Sequence, residues 1–174
     1  AFQTFGRKMA YFNSYTPQQA VDLYPTSGTT DDFAYGELGV PAFTFELGTA
    51  FFQACTDFEN TVLPDNMEAL LYMAKAARLP YQLPAGPEVL DLGLSATAVT
   101  SGTQVTLFAT ADDTRYQNSN GIEPTQNIAQ AEAYLDTPYW EAGAVAIPLT
   151  AADGSFDNPR ETVTAVLDTT ALAN

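Results

Sequence analysis

Residues 24–48 read YPTSGTTDDFAYGELGVPAFTFELG, and this stretch decides the interpretation of the first half of the chain. Its last part, residues 40–47, predicts a strand with two phenylalanines on one face and Thr44 and Glu46 on the other. A carboxylate in mid-strand between aromatic neighbours is costly unless it is paired or functional. We therefore expect Glu46 to lie at a sheet edge, in a buried ion pair, or in a functional site.

Helical periodicity flanks this stretch on both sides. Apolar residues at positions 2, 5, 9 and 12 predict an amphipathic helix that residues 13–17 end. Further along, Asp65 is the predicted N-cap with Glu68 as its capping-box partner, and an apolar stripe predicts a helix over about residues 66–78. The stripe consists of Met67, Leu70, Leu71, Ala74 and Ala77. The first part of the chain therefore mixes helices and strand.

The second part has the pattern of an all-β module. A Pro- and Gly-rich linker, residues 81–87, precedes it. Short alternating segments separated by turn signals then predict strands over residues 103–111, 130–136 and 162–168. Several short strands with turns between them favour an Ig-like β-sandwich. The predicted class is α/β, with a mixed-sheet part in residues 1–83 and an acidic β-sandwich in residues 84–174.

Composition excludes several classes of protein. The 174 residues carry a net charge of −15 with six Lys and Arg, too few for the basic face of a nucleic-acid binder. The absence of histidine excludes Ser-His-Asp catalysis and a His-ligated zinc site within this chain. Cys55 is the single cysteine and is expected to be a buried free thiol. No apolar run approaches the roughly 20 residues of a membrane span.

The stretch quoted above resembles the C-terminal part of the catalytic domain of zinc metallocarboxypeptidases of the carboxypeptidase A/T type. The resemblance lies in Tyr24, the Gly-, Ser- and Thr-rich loop, the Asp31-Asp32 pair and the segment that ends in Glu46. Tyr24 and Glu46 are 22 residues apart, which matches the spacing between that family's mobile tyrosine and its catalytic glutamate. The likeness continues to about Tyr81.

The resemblance implies a role for each matching residue. Glu46 would be the general base that activates the zinc-bound water, and then the acid that protonates the leaving amine. Tyr24 would close over the substrate, and Thr44 would line the pocket for its terminal side chain. Asp31 would lie at the pocket floor and favour C-terminal Lys or Arg, although capping a turn is an equally open role. Asp32 is expected to order the loop by accepting backbone N–H bonds.

The family's metal ligands have no counterpart in this sequence. They are a His-x-x-Glu motif and a later His, and all lie before the tyrosine that Tyr24 matches. We therefore expect a fragment of a secreted, extracellular zinc carboxypeptidase that is inactive alone, with zinc bound only in the full-length parent. The expected partners are peptide or protein C-termini. The apolar face of the truncated part is expected to cause self-association.

Residues 111–128 resemble the β-sandwich modules appended to secreted bacterial peptidases. This segment carries oxygen-rich side chains that could hold Ca²⁺, although a solvated acidic loop is the simpler interpretation. The candidate calcium ligands are Asp112, Asp113, Asn118, Asn120 and Glu123. We also expect the sandwich to lack its last strands, which would leave an unpaired edge.

A second function class stays open from the sequence. The chain could be a non-catalytic binding or adhesion protein in which the peptidase-like segment is a relic. Aromatic residues such as Tyr134, Tyr139 and Trp140 could stack on a sugar, although core or surface packing is their more common role. A His-x-x-Glu motif and a later His in the preceding reading frame would favour the enzyme.

Overall fold

The computed structural model describes residues 1–171 as two compact units, one formed by residues 1–86 with 115–124 and the other by residues 87–114 with the chain from 125 onward. The first unit is helical. Its helices are α1 (Phe2–Asn13), α2 (Ala20–Leu23), α3 (Thr30–Leu38), α4 (Cys55–Asp57), a π-helical turn (Phe58–Val62) and α5 (Leu63–Ala76), followed by a 3₁₀ turn (Leu83–Ala85).

The core of the first unit lies between α1 and α5. Phe5 and Met9 of α1 are each 3% exposed and pack with Ala69, Tyr72 and Ala76 of α5. These positions recur every three to four residues, so one face of each helix is apolar. The predicted N-terminal helix is confirmed, and it ends where Ser14 takes a left-handed conformation.

The second predicted helix is confirmed, but its start and its buried face were wrong. The predicted stripe is exposed, because α1 packs on the other side of the helix, which carries Ala69, Tyr72 and Ala76. The helix begins at Leu63 and continues from helical backbone that starts at Cys55, so Asp65 lies in the first turn and is not an N-cap. The capping pattern failed because the residues before it are already helical. Cys55 is exposed, which corrects the expectation of a buried thiol.

The strand predicted over residues 40–47 was also wrong. This stretch has no regular secondary structure, and every described strand lies between Glu88 and Asp168. A strand needs a hydrogen-bonding neighbour, and the described part of this unit offers none. Phe43 and Phe45 instead pack against the α1–α5 core.

The second unit is a five-stranded antiparallel sheet with the order β1-β2-β5-β4-β3. The strands are β1 (Glu88–Leu94), β2 (Gln104–Asp112), β3 (Ala131–Ala133), β4 (Ile147–Ala151) and β5 (Arg160–Asp168). The longest pairing joins β2 to β5 in unbroken register from Gln104 with Asp168 to Asp112 with Arg160. A chain with helices first and a β-rich part after them agrees with the predicted class at this coarse level, whereas the mixed sheet predicted for residues 1–83 has no strand in the described residues.

The predicted alternation along β2 and β5 is confirmed. Leu107, Ala109, Val163 and Leu167 are buried in one cluster with Leu149 of β4. The strand predicted over residues 130–136 is shorter, and β1 and β4 were not predicted. The described strands all join one sheet, so two stacked sheets are not confirmed.

In residues 1–171 no helix is long and apolar enough to cross a membrane.

Candidate functional site

Two of the residues that the sequence singled out are in contact. The hydroxyl of Thr44 donates a hydrogen bond of 2.7 Å to Oδ2 of Asp31. Asp31 lies in the first turn of α3, so the acidic pair occupies a helix N-terminus and not the predicted loop. Carboxylates are stabilised there by the helix dipole and by the unpaired N–H groups of the first turn.

Asp32 orders the start of α3, as predicted. Its Oδ2 accepts hydrogen bonds from the backbone N–H of Gly28 at 2.7 Å and of Thr29 at 3.2 Å. The Thr29 hydroxyl in turn accepts from the Asp32 backbone N–H, which completes a capping box. The Asp32 carboxylate is thus occupied by backbone hydrogen bonds, whereas the carboxylate of Asp31 accepts the hydrogen bond from Thr44.

The core also positions α3. The ring of Tyr35 meets Phe2 edge to face at a centroid distance of 4.8 Å. At the C-terminal end of α3, the Tyr81 hydroxyl donates to the carbonyl of Gly39 at 2.8 Å. These contacts tie the helix that carries Asp31 to both ends of the first unit's sequence.

Aromatic packing fixes the stretch that carries Thr44 and Glu46. The Phe43 ring lies 5.1 Å from Phe5, and Phe45 packs against the same core. Thr44 and Glu46 alternate with these phenylalanines and are exposed. The predicted division of faces is therefore kept although the stretch is not a strand. The exposed Glu46 avoids the cost of burying a charge.

Tyr24 makes no hydrogen bond to Asp31, Thr44 or Glu46 in the described residues. It follows α2, is 56% exposed, and its backbone N–H closes that helix on Ala20. Neither its hydroxyl nor the Glu46 carboxylate makes a hydrogen bond within residues 1–171. Asp31 and Thr44 are therefore the pair that the structure assembles, while Tyr24 and Glu46 present free surfaces to solvent.

The first two candidate calcium ligands, Asp112 and Asp113, accept hydrogen bonds at the C-terminal end of β2. Asp112 is 5% exposed, and its Oδ1 accepts from the backbone and hydroxyl of Thr114 at 2.8 and 2.6 Å. Its Oδ2 lies 3.4 Å from the Arg160 guanidinium. Asp113 is 1% exposed and accepts from the backbone N–H of Gln126 at 2.7 Å.

The other three candidates are engaged within the first unit. The Asn118 side-chain oxygen accepts from the Glu123 backbone N–H, and the Asn120 amide donates to the carbonyl of Pro17. The Glu123 carboxylate accepts from Thr4 and pairs with Arg7. These oxygens and amides already have protein partners, so calcium binding stays a prediction that titration must test.

Residues 1–171 contain no group of three or more His, Cys, Asp and Glu side chains placed to hold a metal ion. Zinc sites in proteins use cysteine, histidine and carboxylate ligands in a tetrahedral set. With no histidine and one exposed cysteine, the residues of this chain do not fit a zinc site.

Two groups of the second unit have perturbed acidity. The Tyr134 hydroxyl donates to Glu132 at 2.7 Å, and this hydrogen bond raises the pKa of Tyr134. Hydrogen bonds from the hydroxyl and backbone of Thr170 lower the pKa of Asp168. The rings of Tyr134, Tyr139 and Trp140 form a partly exposed cluster with centroid distances of 6.1 and 5.0 Å.

The comparison with curated proteins gives one informative similarity. Over 47 residues the chain is 45% identical to a zinc carboxypeptidase of Saccharothrix mutabilis subsp. capreolus, a match that covers 27% of this chain and 11% of that protein. No model of a known protein family matches the chain, and no solved structure matches it. The chain thus contains a carboxypeptidase-related segment and spans a small part of the relative that it matches.

Proposed function

We propose that residues 1–83 are the C-terminal part of the catalytic domain of a zinc-dependent carboxypeptidase that removes C-terminal residues from peptides. The observation that carries the proposal is the 45% identity to a zinc carboxypeptidase. The contact between Asp31 and Thr44 supports it, because the resemblance to carboxypeptidases implies that both residues line one specificity pocket.

In this proposal each of the four matching side chains has a separate role in catalysis or substrate binding. Glu46, exposed next to Thr44 in sequence, takes a proton from the attacking water and returns it to the leaving amine. Tyr24 has an unengaged hydroxyl that can donate to the substrate near its C-terminus. Asp31 supplies negative charge for a terminal Lys or Arg, and the Thr44 hydroxyl orients that carboxylate.

The metal must be held elsewhere, since the residues of this chain do not fit a zinc site. We therefore propose that the active protein contains a preceding segment with the zinc ligands, that this 174-residue chain alone does not hydrolyse peptides, and that the parent is secreted.

The sequence of the coding region that precedes Ala1 tests this proposal. We expect a His-x-x-Glu motif and a later His in the same reading frame. A reading frame that lacks them would favour the other class, a binding protein with a relic peptidase segment. Peptidase activity of the purified chain that survives a chelator would also contradict the proposal.

A further inference from the structure

The loop of residues 115–124 follows β2 in sequence, yet it belongs to the compact unit of residues 1–86. We propose that this loop is an intramolecular clamp that holds α1 in place and, through α1, supports the stretch that carries Glu46. The link to Glu46 rests on the proposed function, whereas the clamp itself does not depend on it.

An ion pair forms the polar half of the clamp. Arg7 of α1 pairs with Glu123, and the two side chains are only 14% and 11% exposed. The Thr4 hydroxyl donates to the same carboxylate at 2.7 Å, and Arg7 donates to the carbonyl of Asn120 at 2.7 Å. Charges removed from water to this degree depend on each other, since losing one leaves the other without its counter-charge.

Backbone and ring contacts form the other half. The backbone N–H of Gln117 donates to the carbonyl of Arg7 at 2.9 Å. The Lys8 ammonium group lies 4.1 Å from the ring centre of Tyr116, and both residues are buried. The Tyr116 hydroxyl reaches the carbonyl of Pro84 at 3.1 Å. A desolvated ammonium group over an aromatic face is strongly attracted to it.

A third cation belongs to the same contact. The Arg115 guanidinium lies 4.7 Å from the ring centre of Tyr11 and 5.2 Å from that of Phe12. Together with Arg7 and Lys8 it makes three of the six Lys and Arg residues of the chain. A sequence so poor in cations thus places half of them where the loop meets α1.

The helix transmits this support to the candidate site. Phe5, on the same helix as Arg7, meets the Phe43 ring at 5.1 Å, and Thr44 follows Phe43 directly. The loop therefore supports a helix that positions this stretch, and none of its contacts described above reaches Tyr24, Asp31, Thr44 or Glu46.

Gly121 offers a test that removes no polar group. Its φ is +89°, and an added Cβ would lie 2.6 Å from Nη2 of Arg7. Gly154 has a similar φ of +101° and nothing within 4 Å of such a Cβ, so it is the matched control. Both substitutions to alanine carry the cost of a left-handed backbone, and only one of them disturbs the clamp.

Hydrogen exchange of the full 174-residue chain, read by mass spectrometry, tests the clamp. We expect Glu123→Gln and Gly121→Ala to speed exchange of the α1 amides at least about tenfold and to leave β2 and β5 unchanged. Gly154→Ala and the surface control Glu132→Gln should leave α1 unchanged.

Three results would overturn the clamp. They are unchanged α1 exchange in Glu123→Gln, equal loss of protection in α1 and in the sheet, and an effect of Gly154→Ala on α1 as large as that of Gly121→Ala. If Gly121→Ala does not fold, the nearly isosteric Glu123→Gln decides alone. The experiment measures no hydrolysis, so its result is independent of the carboxypeptidase proposal.

Discussion

Thr44 and Asp31, 13 residues apart in sequence, are joined by a hydrogen bond of 2.7 Å between hydroxyl and carboxylate. The contact connects the first turn of α3 to the stretch that carries Glu46. It joins two residues that resemblance to carboxypeptidases had assigned to a single pocket. That the pair forms such a pocket is a prediction that the substrate preference of Asp31 variants tests.

The first prediction concerns substrate preference in the active parent. Asp31→Asn should lower kcat/KM for peptides ending in Lys or Arg by roughly 10- to 100-fold, because a charge-assisted contact is lost. Peptides with an apolar C-terminus should be affected little. Asp91→Asn, at an exposed aspartate of β1, serves as control. An equal loss of kcat/KM on both classes of peptide would show that Asp31 does not determine the preference for the C-terminal side chain.

The second prediction concerns the core beneath the site. Phe5→Ala should lower the free energy of unfolding of the first unit by about 3–5 kcal/mol, because a buried ring that packs on Phe43 and Tyr72 is removed. Urea denaturation followed by helix circular dichroism measures it. Phe33→Ala, at a residue that is 61% exposed, should cost less than about 0.5 kcal/mol. Similar costs for the two variants would contradict the packing.

The third prediction concerns the acidity of Tyr134. Glu132→Gln should lower its pKa toward the ordinary tyrosine value, because the anionic hydrogen-bond acceptor is lost. The stabilisation from a raised pKa is present below the ordinary value of about 10 and is lost as pH rises through the raised one. Ultraviolet difference titration checks this. An unchanged titration curve would show that the hydrogen bond is not formed in solution.

The fourth prediction concerns the calcium hypothesis. The side chains of Asp112, Asp113 and Glu123 already accept hydrogen bonds or pair with arginine. We therefore expect the melting temperature to be the same in Ca²⁺ and in EDTA. A rise in melting temperature with Ca²⁺ would show that the metal displaces these partners and would support a calcium site.

The fifth prediction concerns self-association. Phe51 and Phe52 are almost fully exposed, at 105% and 97%, and several other large apolar side chains of the first unit are more than half exposed. Such surfaces favour association. Sedimentation velocity at rising concentration should show oligomers that the double variant Phe51→Ser/Phe52→Ser reduces. Val145→Ser, at a residue exposed in a loop of the second unit, is the control. A monomer at all concentrations would contradict the prediction.

Local patterns in the sequence were sufficient for α1 and for the existence of α5, whereas α2, α3 and α4 were not predicted. The positions of Phe5 and Met9 on α1 follow from periodicity, and Asp32 follows from capping chemistry. On α5 the predicted stripe faces solvent, and the buried residues Ala69 and Tyr72 were not predicted. The stretch before Glu46 was different, because the pattern of a strand does not reveal whether a neighbouring strand exists. The alternation correctly predicted which side chains face the core and failed on the hydrogen bonding.

Long-range contacts were the other failure. Arg7 and Glu123 are 116 residues apart, and no periodicity links them. The signal available was compositional: the loop combines Arg115, Tyr116 and Glu123 in a chain with few cations. Oxygen-rich side chains in such a loop suggest either a metal site or a solvated acidic loop, and in the structure two of them, Asn120 and Glu123, bond to helix α1 or to the chain that follows it.

The most direct test is the hydrolysis of C-terminal residues by the longer protein that contains this chain, with Glu46 intact or changed to Gln. The account predicts activity in the unchanged protein, and a loss of at least about 100-fold in Glu46→Gln with the zinc content unaltered. Glu59→Gln, at another exposed glutamate, should retain full activity. A Glu46→Gln variant that hydrolyses peptides at the unchanged rate would contradict the account.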